Sequence, residues 1–184
     1  MRRFILTVAL TLATVTAAAA TVAGVNVPDT TDVNGQQLVL NGTGLRKKFF
    51  IKVYTGALYL PAKSTNAAAI VSADQPRRMV MHFVYDVGKD KMAEAWAEGL
   101  EANVPNATAD VKKNFGQLSA WMEDVKEGQQ IVMTYVPGTG TIVQVNGKTK
   151  GTLAGKATND AILATWIGPK PGPGADFKKA VLGQ

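Results

Sequence analysis

The chain holds no cysteine and a single histidine among its 184 residues. Without thiols there are no disulfides, no thiolate metal site, no cysteine nucleophile and no lipid-bearing cysteine behind a leader. One imidazole is too few for a histidine-based metal cluster. His82 stands in the apolar run Val80-Met81-His82-Phe83-Val84 and reads as a core or half-buried strand residue. The carboxylates are scattered and show no EF-hand spacing. A Ser-His-Asp triad would have to recruit His82, and no Gly-x-Ser-x-Gly elbow is present. Gly147-Lys148-Thr149 imitates the end of a phosphate-binding loop, but Ile142 occupies the position of its first glycine. Gly42-x-Gly44 lacks the following glycine of a dinucleotide loop. These absences set aside most common enzyme chemistries, and the sequence calls for no cofactor and no metal.

Long hydrophobic runs are also scarce, and the main one is N-terminal. Arg2 and Arg3 precede an apolar stretch from Phe4 to about Val15, and the Ala17–Ala20 run offers an Ala18-x-Ala20 cleavage site. This is the pattern of a signal peptide over residues 1–20. The stretch carries several threonines and is short for a span, which needs about 20 apolar residues. The expectation is export to the periplasm through a cleaved leader, with no stable membrane insertion afterwards. About 164 residues then remain, 21–184, enough for one domain with its own core.

Charge is modest as well. Removing Arg2 and Arg3 lowers the formal charge from +6 to +4. A nucleic-acid binder usually gathers its charge on one face; here the only dense cluster is Arg46, Lys47, Lys48 and Lys52. No nucleic-acid partner is expected, and the cluster reads as solubility plus one local site friendly to an anion.

Short strands are predicted at Val25–Val27 and Gln37–Leu40 around an Asn34-Gly35 hairpin signal. A glycine turn at Gly42-Thr43-Gly44 leads into one long strand that stops at Pro61. Ser64 or Thr65 can cap a short helix over Ala67–Ser72, and Arg77–Val87 is the next strand. Met92, Trp96, Leu100 and Val104 recur at helical spacing up to Pro105. Thr108 caps a second helix carrying Val111, Phe115, Leu118 and Met122. Gln129–Val136, Thr141–Val145 and Lys148–Leu153 read as a meander joined by Pro137-Gly138-Thr139-Gly140 and Asn146-Gly147. A helix over Lys156–Ile167 exits at Gly168-Pro169, and a short helix over Ala175–Leu182 ends the chain. Hairpins without βαβ alternation imply an antiparallel α+β domain.

The most informative stretch is Leu40 to Leu60. From Lys47 to Tyr59 its odd positions are mostly apolar, while the even ones read Arg46, Lys48, Phe50, Lys52 and Tyr54. Strand side chains alternate between faces. One face therefore mixes cations, phenol and phenyl, which suits an amphipathic anion or, more plainly, a solvated surface rich in lysine.

The segment Gly42-Thr43-Gly44-Leu45-Arg46-Lys47-Lys48-Phe49-Phe50-Ile51-Lys52-Val53-Tyr54 resembles the opening motif of the chalcone isomerase-like family. Ala161-Ile162-Leu163-Ala164-Thr165-Trp166-Ile167-Gly168, followed by Pro169, is similar to that family's last-but-one helix and its exit. The resemblance covers roughly residues 24–184. It implies an open-faced β-sandwich, a large antiparallel sheet covered by helices with a ligand cleft between. In catalytic members a phenolate attacks an enone within one chalcone molecule, and an arginine holds the anionic substrate. Arg46 matches that arginine and Thr165 matches the Ser/Thr of the C-terminal helix. Tyr54 replaces the strand threonine. The helix tyrosine would fall at Lys91 or Met92 and the asparagine near Glu98 or Gly99, so both are missing. Each lost donor is worth about 3 kcal/mol in a dry site. Relatives that bind fatty acids pair an arginine with a tyrosine at a carboxylate, which makes Arg46 with Tyr54 the candidate pair. On one straight strand, however, those two side chains would stand ~26 Å apart.

Three readings follow. The first is a non-catalytic binder of a fatty acid or other amphipathic anion, with Arg46, Tyr54 and Thr165 as ligand-binding residues. The second is an isomerase or intramolecular lyase acting on a phenolic or enone substrate. The third is a structural or assembly partner with no small ligand.

Overall fold

The computed structural model describes residues 20–184, so the leader expected over residues 1–20 lies outside the described residues except for Ala20. Two short strands, β1 (Ala20–Val22) and β2 (Val25–Val27), form a hairpin of their own. The remaining strands are β3 (Thr30–Val33), β4 (Gln36–Lys48), β5 (Ile51–Leu60), β6 (Arg77–Phe83), β7 (Gln130–Val136), β8 (Gly140–Val145) and β9 (Lys148–Leu153). Each pairs antiparallel with the next, giving a seven-stranded meander in chain order. Helix α1 (Ala67–Ser72) follows β5, while α2 (Lys89–Asn103) and α3 (Ala109–Ala120) lie between β6 and β7. Helices α4 (Lys156–Ile167) and α5 (Ala175–Val181) close the chain. This is the antiparallel α+β, open-faced arrangement expected of the sequence.

Alternation along β6 shows how the layers form. Arg77, Met79, Met81 and Phe83 are buried and Arg78, Val80 and His82 are half-buried. Met79, Met81 and Phe83 join the main core with Trp96, Phe115, Leu118, Ile162 and Trp166 from the helices. Val80 packs on the other side with Val25, Val27, Leu38, Leu40, Ala57 and Tyr59, under the β1–β2 hairpin. Helix α4 is buried at Thr158, Asn159 and every position from Ala161 to Ile167. A helix that is apolar nearly all round is a core helix, and α4 sits between the sheet and α2.

Several expectations need correction. Gly42 and Gly44 lie within β4, not in a turn. A Cβ on Gly42 would meet the Ala180 carbonyl oxygen at 2.2 Å, and one on Gly56 would meet Phe177 Cζ at 2.4 Å. These glycines clear a seat for α5. The long strand expected from residue 46 onward is two strands joined at Phe49-Phe50, with Lys48 opposite Ile51. Phe49 has φ of 55°, where two-residue hairpins ordinarily use glycine. A bulky side chain there costs about 1–2 kcal/mol, and it hides the turn from any composition signal. The N-cap of α1 is Asn66, whose side chain accepts from the Ala69 N–H, instead of Ser64 or Thr65. Strand β6 ends at Phe83, short of Val87. By contrast, Asn34-Gly35 and Asn146-Gly147 have positive φ at both residues and close their hairpins as expected.

Arg77 ties the helices to the sheet. It is 2% exposed. Its guanidinium donates to the carbonyls of Ile70, Val71 and Ala73, to Asn159 Oδ1 and to Asp160, and it lies 5.1 Å from the Tyr135 ring centroid. Asp160 also takes Lys156, while Tyr135 donates to Asp74 Oδ1 at 2.6 Å. Removing one member of such a buried network strands the others. Arg77→Ala should cost about 3–5 kcal/mol in urea-induced unfolding; a change of under about 1 kcal/mol would mean the network is incidental to stability.

Candidate functional site

Strand β4 turns over at Asn41. Leu40 pairs with Tyr59 and Gly42 with Leu58, so Asn41 is an extra residue. A one-residue slip moves every later side chain to the other face. Leu38 and Leu40 therefore pack under the β1–β2 hairpin, whereas Gly44 lies against α5 and Arg46 lines the helix-side cleft. Asn41 is buried; its Nδ2 donates to the Val181 carbonyl at 2.8 Å and its Oδ1 accepts the Ser64 N–H at 2.7 Å. The bulge is held from both sides.

Because the chain turns at Phe49-Phe50, Arg46 stands directly opposite Tyr54 on the neighbouring strand. The expected separation along a straight strand does not apply, since facing residues lie about 5 Å apart at Cβ. A second irregularity leaves Val53 as the extra residue of β5 beside this pair. Both Val53 and Tyr54 reach the cleft. Thr55, on the opposite face, gives its hydroxyl to the Val22 carbonyl and cannot stand in for the absent strand threonine.

The cleft measures about 690 Å³ and opens between the ends of β4–β6, helix α2, the C-terminal part of α4 and the loop before α5. Its wall is largely apolar, with Met81, Phe83, Val87, Met92, Trp96 and Trp166. Trp96 and Trp166 meet edge to face with centroids 5.2 Å apart. Arg46 is half-buried, donates from Nη1 to the Gly172 carbonyl, and has no carboxylate partner among the described residues. Tyr54 is 5% exposed and its ring packs on Phe83 and Phe177. Its hydroxyl oxygen accepts the Trp166 Nε1–H at 3.1 Å, and no acceptor among the described residues takes the phenol's own proton. Burial pushes the phenol up to about 12, against the opposing pull of Arg46 and the indole hydrogen bond. Tyr54 is thus a neutral donor at any physiological pH.

Thr165 lines the same cleft, so all three candidate residues border one space. Its hydroxyl, however, donates to the Ile162 carbonyl of its own helix at 2.7 Å. The positions that the family pattern would give to tyrosine and asparagine also face the cleft. They carry Lys91, Met92, Glu98 and Gly99. Phe50, placed by sequence parity on the same face as Tyr54, is instead 96% exposed at the hairpin tip. Sequence reasoning did not find Trp166 as the partner of Tyr54, or Gly172 as that of Arg46, since nothing local links residues more than 100 positions apart. No group of three or more metal-ligating side chains occurs among the described residues.

A family model described as chalcone isomerase-like matches residues 19–183, and the chain belongs to that family. No curated protein sequence matches it. Among solved structures, a fatty-acid binding protein of Arabidopsis thaliana shares the fold with a TM-score of 0.67. The match covers 90% of this chain and 97% of the other, at 17% identity.

Gly99 is where α2 and α4 touch: a Cβ there would meet Thr165 Cγ2 at 2.9 Å. An asparagine cannot be restored at this position without moving a helix. Gly99→Ala should cost about 1–3 kcal/mol on thermal or urea unfolding. Part of that loss should return in a Thr165→Ser background, which removes the methyl and keeps the hydroxyl. Equal costs in both backgrounds would show that the two residues are not coupled.

Proposed function

We propose that this protein is an exported, non-catalytic binder of a fatty acid or similar amphipathic anion, held in the cleft with Arg46 and Tyr54 at its charged group. The observation that carries the reading is a half-buried guanidinium without a carboxylate partner, set across a strand pair from a phenol with an unspent proton. Such a cation is costly to bury unpaired, and a planar fork beside a neutral donor fits a carboxylate. The apolar wall offers a place for a hydrocarbon chain. The fold shared with a plant fatty-acid binding protein is consistent with it. Thr165 lines this cleft with its hydroxyl already given to the Ile162 carbonyl.

Isothermal titration with a long-chain fatty acid tests the proposal. Arg46→Ala should weaken binding about 30- to 150-fold, equivalent to about 2–3 kcal/mol, and Tyr54→Phe about fivefold. Wild type and both variants should cyclise a chalcone panel no faster than buffer does. Binding should be full at neutral pH and decline as pH falls through the ordinary carboxylate range near ~4.3, because only the ionised ligand pairs with Arg46. Tyr54, held up at about 12, should introduce no break between neutral pH and ~pH 10. Equal binding by all three proteins would move the site elsewhere, and no binding by wild type would overturn the reading.

Export rests on the leader pattern, the Arg2-Arg3 pair, the apolar stretch and the Ala18-x-Ala20 site. No helix among the described residues is long and apolar enough to cross a membrane. Intact-mass measurement on periplasmic protein should give a chain starting at or near Thr21; full-length chain retained in the membrane fraction would refute it.

A further inference from the structure

The hairpin joining β4 to β5 carries two bare aromatic rings at its tip, Phe49 at 84% and Phe50 at 96% exposure. With Ile51 and Tyr85, these are the large hydrophobic side chains exposed among the described residues, and all four stand at one end of the sheet. Lys47, Lys48 and Lys52 are exposed directly behind the tip. We infer that this tip is a docking wedge for an anionic lipid bilayer, inserting its phenylalanines among the acyl chains with its lysines at the headgroups.

Five observations select a bilayer over a protein surface. Phe49 and Phe50 are consecutive, so the tip exposes apolar surface around a convex turn and offers no flat face for a protein to cover; a fluid bilayer closes around it. The lysines lie one or two residues behind the rings, some 3–7 Å at strand rise, matching the step from acyl boundary to headgroup. Lys47 and Lys52 form no ion pair among the described residues; of the neighbouring acids, Asp86 pairs with Lys126 and Glu94 with Lys91, with Lys48 also acting on Glu94. Contact between the tips of two copies would bring like charges together. Phe49 also keeps its ring at a positive-φ position where glycine would relax the backbone, so the turn holds an aromatic at a conformational cost.

The tip is also the rim of the cleft, since Lys48, Phe49, Ile51 and Tyr85 line its mouth. Docking would therefore set the cleft opening against the lipid surface, where an amphipathic ligand could pass between bilayer and protein. Docking itself stands on the tip alone, and only this use of it rests on the reading of the cleft given above.

Vesicle flotation tests the inference, with soluble protein produced from the full-length gene. Wild type should float with vesicles of phosphatidylethanolamine and phosphatidylglycerol and bind phosphatidylcholine vesicles at least tenfold more weakly. Phe50→Ser should lose about tenfold or more in affinity for the anionic vesicles with an unchanged melting temperature. Lys47→Gln with Lys52→Gln should lose roughly fivefold per charge, and added salt should weaken wild-type binding. Phe50 and the two lysines lie outside the cleft lining, so these variants should titrate a long-chain fatty acid like wild type. Arg46→Ala should do the reverse and keep its flotation. Equal flotation by wild type and Phe50→Ser, or no binding of anionic vesicles by wild type, overturns the wedge while leaving the cleft untouched. A dimer in sedimentation that Phe50→Ser abolishes, without vesicle binding, would assign the tip to a second copy instead. Loss of flotation in Phe50→Ser, with no fatty acid bound by any protein, would keep the wedge and remove the cleft reading.

Discussion

At Asn41 strand β4 carries one residue more than its partner, and the layers on either side of the sheet depend on that step. Before it, Leu38 and Leu40 supply the small core beneath the β1–β2 hairpin. After it, the same parity brings Gly42 and Gly44 under α5 and Arg46 to the cleft. Without the extra residue the glycines would face the wrong layer, α5 would have no seat, and the guanidinium would stand under the β1–β2 side. Asn41 fixes the step by holding the last turn of α5 with one amide atom and the chain after β5 with the other. A local defect in one ladder thus positions a helix and a binding group together. Bulges near sites commonly re-aim side chains in this way.

Two arginines in the same domain show how surroundings divide structural from functional charge. Arg77 is saturated: three carbonyls, an amide oxygen, a carboxylate and an aromatic face account for its donors and its charge. Nothing is left for a ligand, and its task is to hold α1 and α4 on the sheet. Arg46 has one carbonyl, that of Gly172, and otherwise faces the cleft. The Gly172 loop is itself held, since the Gly172 N–H donates to the Thr165 carbonyl and the Lys170 N–H to Asn103 Oδ1. Arg46 is therefore aimed without being neutralised, a cheap way to preorganise an anion site.

What could be read from the sequence follows a physical boundary. The Asn34-Gly35 and Asn146-Gly147 hairpins, the amphipathic stripes of α2 and α3 and the span of α4 were legible because their signals are local. The Phe49-Phe50 hairpin was not, because a phenylalanine fills the position where glycine would announce the turn. With that turn hidden, Arg46 and Tyr54 fell on one imagined strand at a distance that forbade a shared ligand. Gly42 and Gly44 misled for a different reason: their lack of a side chain answers to Ala180 and Phe177, far along the chain. The residues of the candidate site were identified through family resemblance, but their mutual geometry had to come from tertiary structure.

On the proposed reading, the cleft is built to hold an anion and poorly built to turn one over. Cyclisation of an enone needs hydrogen bonds that strengthen as negative charge moves to the carbonyl oxygen. Met92 and Gly99 offer no side-chain donor, Glu98 brings a carboxylate, Lys91 is paired with Glu94, and the Thr165 hydroxyl proton goes to Ile162. Tyr54 stays protonated near neutral pH and so cannot serve as the base. Glu94, at the rim, is held below the usual carboxylate range by its hydrogen bond from Lys91, and is a correspondingly weak base. Beside other charged groups in its lining, among them Lys91 and Glu98, the cleft offers a fixed cation, a neutral donor and a largely apolar wall. These bind a carboxylate's ground state, where charge is already localised, and give little extra to a transition state in which charge moves.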